Sequence, residues 1–245
     1  MTVPNMIFMA VDLPQSELYY VWGQATAEAK VIIMILAVFS IFAWTVMASK
    51  AMQMRRAKKL NQYFNIEFRG QKSVLEIHDR QVQVDGCPLF AVYQEGCLEL
   101  AGRRKSAAVR QDNPKITLNS MEHVKRALER AVADESLKLE SGLILLAIAV
   151  SGAPFLGLLG TVWGVMSTFS YVAMKGQADL ATMAPGVAAA LITTVAGLLV
   201  AIPSMFGYNY LVHNLRVLTV ALDNFSQEMI SKAEIEFLQD DETGR

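Results

Sequence analysis

Apolar residues along the chain are gathered into three long runs set apart by polar sequence. Val31 to Ser49 is 19 residues without a charged side chain, bounded by Lys30 and Lys50. Gly142 to Met174 and Leu180 to Val212 are uncharged across 33 residues each. A membrane-spanning helix needs about 20 apolar residues at about 1.5 Å of rise per residue. The first run meets that length with little to spare. The other two exceed it, which predicts helices that tilt or project beyond the bilayer. Core helices of a soluble bundle rarely run so far without a charge. The pattern therefore predicts an all-α membrane protein with three long transmembrane helices and helical extensions.

The polar stretches carry helical periodicity of their own. Met121, Val124, Leu128 and Val132 recur at spacings of three and four, the signature of one buried helix face. Asn119 followed by Glu122 resembles a capping box with Asn in the cap position. From there the helix is expected to run unbroken through Leu137 into the second apolar run. No breaker lies between Trp44 and Tyr63, so the first span should also extend past the bilayer. The stretch between them holds Gly70, Gly86, Pro88, Gly96, Gly102 and Pro114, which predicts short helices. Gln81 to Val84 alternates like a strand but is too short to assign. Leu211, Leu215, Leu218, Leu222, Phe225 and Met229 step by four and three in strict alternation, an apolar stripe continuing the third span. The polar tail from Asp240 to Arg245 is expected to fray. The resulting division is an N-terminal segment (1–29), a first transmembrane helix (30–50) and a helical segment (51–141). A second transmembrane helix (142–174), a short loop (175–180), a third transmembrane helix (181–212) and a C-terminal helix with its tail (213–245) complete it.

Composition agrees: 53% of the 245 residues are hydrophobic and 18% charged, against about 25% charged in soluble domains. The net charge of −1 says little, but its distribution sets a topology. Seventeen of the 22 Lys and Arg lie between Lys50 and Lys138. The positive-inside rule places that segment in the cytoplasm, the N-terminus outside and the C-terminus inside. Arg55, Arg56, Lys58 and Lys59 follow the first span, where a cluster serves as a topology determinant or meets anionic headgroups. The N-terminus lacks a basic region, and Met6 to Val11 is too short for a signal core, so the first span is expected to act as an uncleaved anchor. Tyr19, Tyr20 and Trp22 would form an interfacial belt outside. Cys87 and Cys97 fit no zinc spacing and are expected as free thiols in a reducing compartment.

Candidate chemistry is defined by what the two long runs lack. Neither contains Asp, Glu, Lys, Arg or His, the residues that mark intramembrane proton relays and ion sites. Any titratable group in an ion path would have to come from a partner. What the runs do contain is small residues in rows. Gly157, Thr161, Gly164 and Thr168 share one face of the second run, and Gly160 with Gly164 forms a GxxxG. In the third, Ala189, Thr193, Gly197 and Ala201 step by four, beside Gly186, Ala190 and Thr194. Such rows serve helix packing or face a pore or partner helix, and the sequence leaves both open. Pro154 and Pro203 inside the runs, and Pro185 near the start of the third, favour kinks. His78, His123 and His213 are scattered, and no phosphate loop or paired catalytic set is present. An enzyme, a bound cofactor, a metal site and a nucleic-acid partner are therefore not expected.

Two of these segments resemble a known family. Ala153-Pro154-Phe155-Leu156-Gly157-Leu158-Leu159-Gly160-Thr161-Val162-Trp163-Gly164-Val165-Met166 closely resembles the second-span signature of the TolQ/ExbB branch of the MotA/TolQ/ExbB proton-channel family. Ala184-Pro185-Gly186-Val187-Ala188-Ala189-Ala190-Leu191 resembles the opening of that family's third span, and Thr194, Gly197, Ala201-Ile202-Pro203 and Tyr208-Asn209 continue it. The resemblance implies a multi-pass protein of the bacterial inner membrane, assembled as a homopentamer around a TolR/ExbD-like dimer. Each single-span partner chain would supply a membrane Asp. Proton flow would then turn the ring and do mechanical work at the envelope, with Na⁺ as the alternative ion and a non-conducting scaffold as the rival role. Thr161 and Thr194 match the family's two channel-lining threonines. One departure stands out: where TolQ and ExbB usually carry Glu in the third span, this chain has Ala189.

Overall fold

The computed structural model describes residues 27–111, 116–176 and 179–238. Tyr19, Tyr20, Trp22, Pro114 and the Asp240 to Arg245 tail lie outside the described residues. Six helices carry the fold: α1 (Ala27–Gly70), α2 (Glu76–Asp79), α3 (Pro88–Gln111), α4 (Leu118–Glu140), α5 (Leu143–Lys175) and α6 (Leu180–Phe237). No strand occurs among the described residues. A lone parallel bridge pairs Ile116 with Leu238, and the Ile116 N–H donates to the Phe237 carbonyl at 2.9 Å. The expected all-α architecture is borne out, and α1, α5 and α6 are each long and apolar enough to cross a membrane. At 58 residues, α6 is about 87 Å long, far more than a bilayer core requires.

The chain divides into two compact units. Among the described residues, the first comprises those up to Val46 together with Ile144–Tyr208, and the second comprises Met47–Leu143 with those from Asn209 onward. In the first unit the interior sets small residues of α5 and α6 against aliphatic residues of α1. Ile32 and Leu36 of α1 meet Ala153 of α5 and Ala201 of α6, flanked by Leu156, Ala196 and Val200. The large apolar residues point away: Phe42 is 62% exposed, Phe155 71% and Phe206 66%. Large apolar side chains turned outward are the reverse of a water-soluble surface and suit helices solvated by lipid. Helix α5 runs on through Pro154, and α6 through Pro185 and Pro203.

The second unit has an ordinary dense core. Phe64 and Phe68 of α1, Phe90 and Tyr93 of α3 and Phe225 of α6 form one aromatic cluster with centroids 4.9–6.5 Å apart. The buried Tyr93 hydroxyl donates to the Val74 carbonyl at 2.7 Å and accepts from the His78 N–H at 2.9 Å. The end of α1 is tied to α6 by charge. Lys232 donates to the Phe68 and Gln71 carbonyls at 3.1 and 2.6 Å, capping a helix C-terminus with a cation. Arg69 grips Glu228 with two hydrogen bonds of 2.8 Å. Met121, Val124, Leu128 and Val132 are buried as their spacing predicts, and so are Leu211, Leu218, Leu222, Phe225 and Met229, with Leu215 half-buried.

Several local expectations are corrected. The cap of α4 is Thr117, whose extended backbone (φ −77°, ψ 155°) lets its hydroxyl accept from the Ser120 N–H at 3.4 Å; Asn119 lies inside the helix. Nor does α4 continue into the second span. Ser141 leaves the helix at ψ 135° and Gly142 adopts φ +84°, a left-handed conformation open to glycine. The stretch expected as short helices contains the 24-residue α3, because Gly96 and Gly102 are tolerated within a packed helix. Gly96 abuts Leu128 and Met229, where a Cβ would come within 2.6 and 2.8 Å of their side chains. Gln81 to Val84 forms no strand, and Gln81 turns at φ +52°.

Both cysteines are free, as expected, and both are buried. Burial pushes the Cys97 thiol up to about 12. The folded state therefore resists thiolate formation, and this group's contribution to stability is full below about pH 8.5 and is lost as the pH rises toward about 12. Cys97 should resist alkylation at pH 8 in the folded protein and react once it is denatured, as read by mass spectrometry. Phe64→Ala, which removes the ring shared by four of the aromatic contacts, should cost about 3–5 kcal/mol in the detergent-solubilised protein, measured by chemical denaturation.

Candidate functional site

Within the first unit, α5 and α6 meet along a seam where backbone touches backbone. A Cβ on Gly197 would come within 2.6 Å of the Ala153 carbonyl and 3.1 Å of the Gly157 Cα. One on Gly157 would come within 2.9 Å of the Thr193 carbonyl, and one on Gly164 within 2.7 Å of the Ala190 Cβ. Gly160 faces the Thr193 side chain, where a Cβ would stand 2.5 Å from Oγ1. At one end of the seam Gly186 meets Thr168, whose hydroxyl donates back to the Gly164 carbonyl at 2.8 Å. The small-residue rows are therefore the surfaces by which one chain's α5 and α6 interlock.

Three threonine hydroxyls converge at the middle of that seam. Thr161 of α5 and Thr194 of α6 are hydrogen-bonded to each other through their side chains. Both also reach the Gly157 carbonyl, at 3.1 and 3.2 Å, and Thr193 reaches it at 3.0 Å. Thr193 has a second acceptor, the Ala190 carbonyl, at 2.6 Å. Thr193 is fully buried, whereas Thr161 and Thr194 are half-buried. The pair therefore forms a polar spot at the edge of the seam, backed by a sealed third hydroxyl.

The remaining candidates lie elsewhere in the unit. Ala189 is buried against Ala29 of α1, so it joins α6 to a different neighbour from Thr194. Pro154 and Pro203 are half-buried within their helices. The feature that sequence reasoning missed is the Gly157 carbonyl as common acceptor. A main-chain oxygen leaves no signature in side-chain identity, and only the spacing of Gly157, Thr161, Thr193 and Thr194 pointed near it.

The chemistry available is that of neutral oxygens. Hydroxyls can donate to and accept from a charged group, but they do not titrate at physiological pH. No Asp, Glu, Lys, Arg or His occurs in residues 143–174 or 180–212, and no group of three His, Cys, Asp or Glu is placed to hold a metal among the described residues. The site can solvate or orient an ionisable group brought to it, and cannot supply one.

Comparison with known proteins places these residues in a family context. Residues 100–224 match the MotA/TolQ/ExbB proton channel family, a stretch that includes Thr161, Thr193 and Thr194. The chain is 35% identical to the Tol-Pal system protein TolQ of Pseudomonas aeruginosa over 188 residues, 76% of this chain and 79% of the relative. It is 32% identical to the TolQ of Haemophilus influenzae over 208 residues, 84% and 88% of the two chains. Identity to the biopolymer transport protein ExbB of Pseudomonas putida is 32% over 191 residues, 77% of this chain and 55% of that one.

The seam makes a direct prediction. Gly197→Ala should lower the stability of the purified protein by about 1–3 kcal/mol, because the Cβ meets backbone that cannot step aside. Gly152→Ala, whose Cβ would meet only the Ile148 Cγ2 at an ordinary 4.0 Å, should leave the thermal midpoint within about 2 °C of the parent value.

Proposed function

Because the chain belongs to the MotA/TolQ/ExbB proton channel family, we propose that it is the channel subunit of a motor driven by the proton-motive force, of the TolQ/ExbB type. It is a multi-pass protein of the inner membrane, with α1, α5 and α6 as its spans. In this reading several copies, five by family resemblance, surround the single membrane helices of a TolR/ExbD-like dimer. An Asp on that partner carries the proton. Thr161 and Thr194 line its path, and ion flow turns the ring against the enclosed dimer to do work at the envelope. The second unit stands in the cytoplasm, where the excess of Lys and Arg in residues 50–138 favours it.

One observation carries this reading: a hydroxyl pair, half-exposed, in spans that hold no ionisable residue of their own. A conducting site needs a group that can change charge, and here the seam offers only donors and acceptors for one. A carboxylate docked against the pair would receive hydrogen bonds that stabilise its charged form and ease proton release. Ala189 supports the same division of labour, since the position where the TolQ/ExbB resemblance leads one to expect Glu is an alanine packed against Ala29.

The test is proton flux through the complex purified with its partner and placed in vesicles holding a pH-sensitive dye. Thr161→Val and Thr194→Val, which keep volume and remove the hydroxyl, should each lower flux about tenfold or more while the subunits still copurify. Undiminished flux in both would remove these residues from the path, and absence of flux in the parent complex would favour a scaffold. Flux that follows a Na⁺ gradient in place of a pH gradient would replace the ion. Native mass measurement should give five copies of this chain.

A further inference from the structure

Three hydroxyls reach the Gly157 carbonyl, and it cannot serve them all. A carbonyl oxygen has two lone pairs. The α-helical bond from the Thr161 N–H takes one of them. Thr161, Thr193 and Thr194, at 3.1, 3.0 and 3.2 Å, compete for the other. Each competitor has an alternative: Thr161 and Thr194 have one another, and Thr193 has the Ala190 carbonyl. A hydroxyl has a single proton, so Thr193 must choose between its two carbonyls at any moment.

The Thr193 proton decides how the other two are used. With Thr193 donating to Ala190, one member of the Thr161–Thr194 pair fills the Gly157 lone pair and the other donates to its neighbour. All three protons are then used inside the seam, and a docking acceptor can draw out only the one shared within the pair. With Thr193 donating to Gly157, that lone pair is filled without either member of the half-exposed pair. Both of their protons can then point out of the seam, and both are satisfied only when an acceptor docks there. The interconversion needs only rotation about C–O bonds, and no bond to hydrogen breaks.

We propose that Thr193 is a positioning residue whose hydroxyl, turning between the Ala190 and Gly157 carbonyls, sets whether both members of the Thr161–Thr194 pair, or only one, can present a proton to an incoming carboxylate. Its surroundings are built for that turn. Thr193 is 0% exposed, so its proton answers only to these two acceptors. Gly160 clears the space its Oγ1 occupies. Without the hydroxyl, one member of the pair must stay on the Gly157 carbonyl or leave its lone pair buried and empty, so a docked carboxylate keeps only one of its two hydrogen bonds without that penalty. This role rests on the channel reading of Thr161 and Thr194 and adds to it a residue that never touches the carboxylate.

Thr193→Val, Thr193→Ala and Thr193→Ser, tested in the complete complex by the vesicle flux measurement, separate hydroxyl from volume. A packing role ranks them by size, with Val best and Ser close to Ala. The positioning role ranks them by chemistry: Ser keeps flux within about twofold of the parent, whereas Val and Ala each lose about tenfold. Parent-like flux in Thr193→Val overturns the proposal. Should the Val variant fail to assemble, Ser against Ala at matched assembly decides, and equal flux in those two overturns it as well. Thr161→Val and Thr194→Val run alongside. If both conduct like the parent, the channel reading itself falls and takes this role with it. If they lose flux and the Thr193 series does not, only the positioning role falls.

Discussion

Gly157 and Gly197 bring the backbones of α5 and α6 together, with the Gly197 Cβ position only 2.6 Å from the Ala153 carbonyl. This contact decides the chemistry of the first unit. In lipid, apolar side chains gain little by leaving the solvent for one another, so helix association depends on close packing and hydrogen bonds. Glycine permits the approach, and the approach puts α6 hydroxyls within reach of an α5 carbonyl. A larger residue at either glycine would separate the helices and dissolve the threonine cluster together with the packing.

Polarity in the membrane-spanning part is thereby concentrated in one place. Other hydroxyls return to their own helix, among them Thr45 to the Ile41 carbonyl, Ser151 to the Ala147 carbonyl and Ser204 to the Val200 carbonyl. Thr161 and Thr194 alone bond across α5 and α6 while half-exposed, among the described residues whose hydrogen bonds bridge the two helices. A neutral donor pair beside an apolar surface can hydrogen-bond a charged acceptor brought to it, and it leaves that acceptor's charge as the variable.

The three spans, the stripe from Leu211 to Met229 and the rows of small residues were legible in the sequence because each is a periodic pattern of side-chain size or polarity. So was the family, from the run Ala153 to Met166. The break at Gly142 was not, since a lone glycine between apolar and polar helices reads equally as interior or terminus until its φ of +84° is known. The Thr117 cap was hidden by Asn119, a better cap residue placed two positions too late. In the site, Thr161 and Thr194 were identified by resemblance, while the role of the rows in joining α5 to α6 within one chain, and the shared Gly157 carbonyl, needed three-dimensional distances.

The central claim is that this chain lends hydroxyls to a carboxylate it does not own. It is tested most directly by comparing proton flux in vesicles holding this chain alone with flux in vesicles holding the chain and its single-span partner at equal protein density. Silence from the chain alone and a proton current from the pair is the expected result. A current of the same size from the chain alone would contradict the account, since it would place the proton-carrying group within these spans.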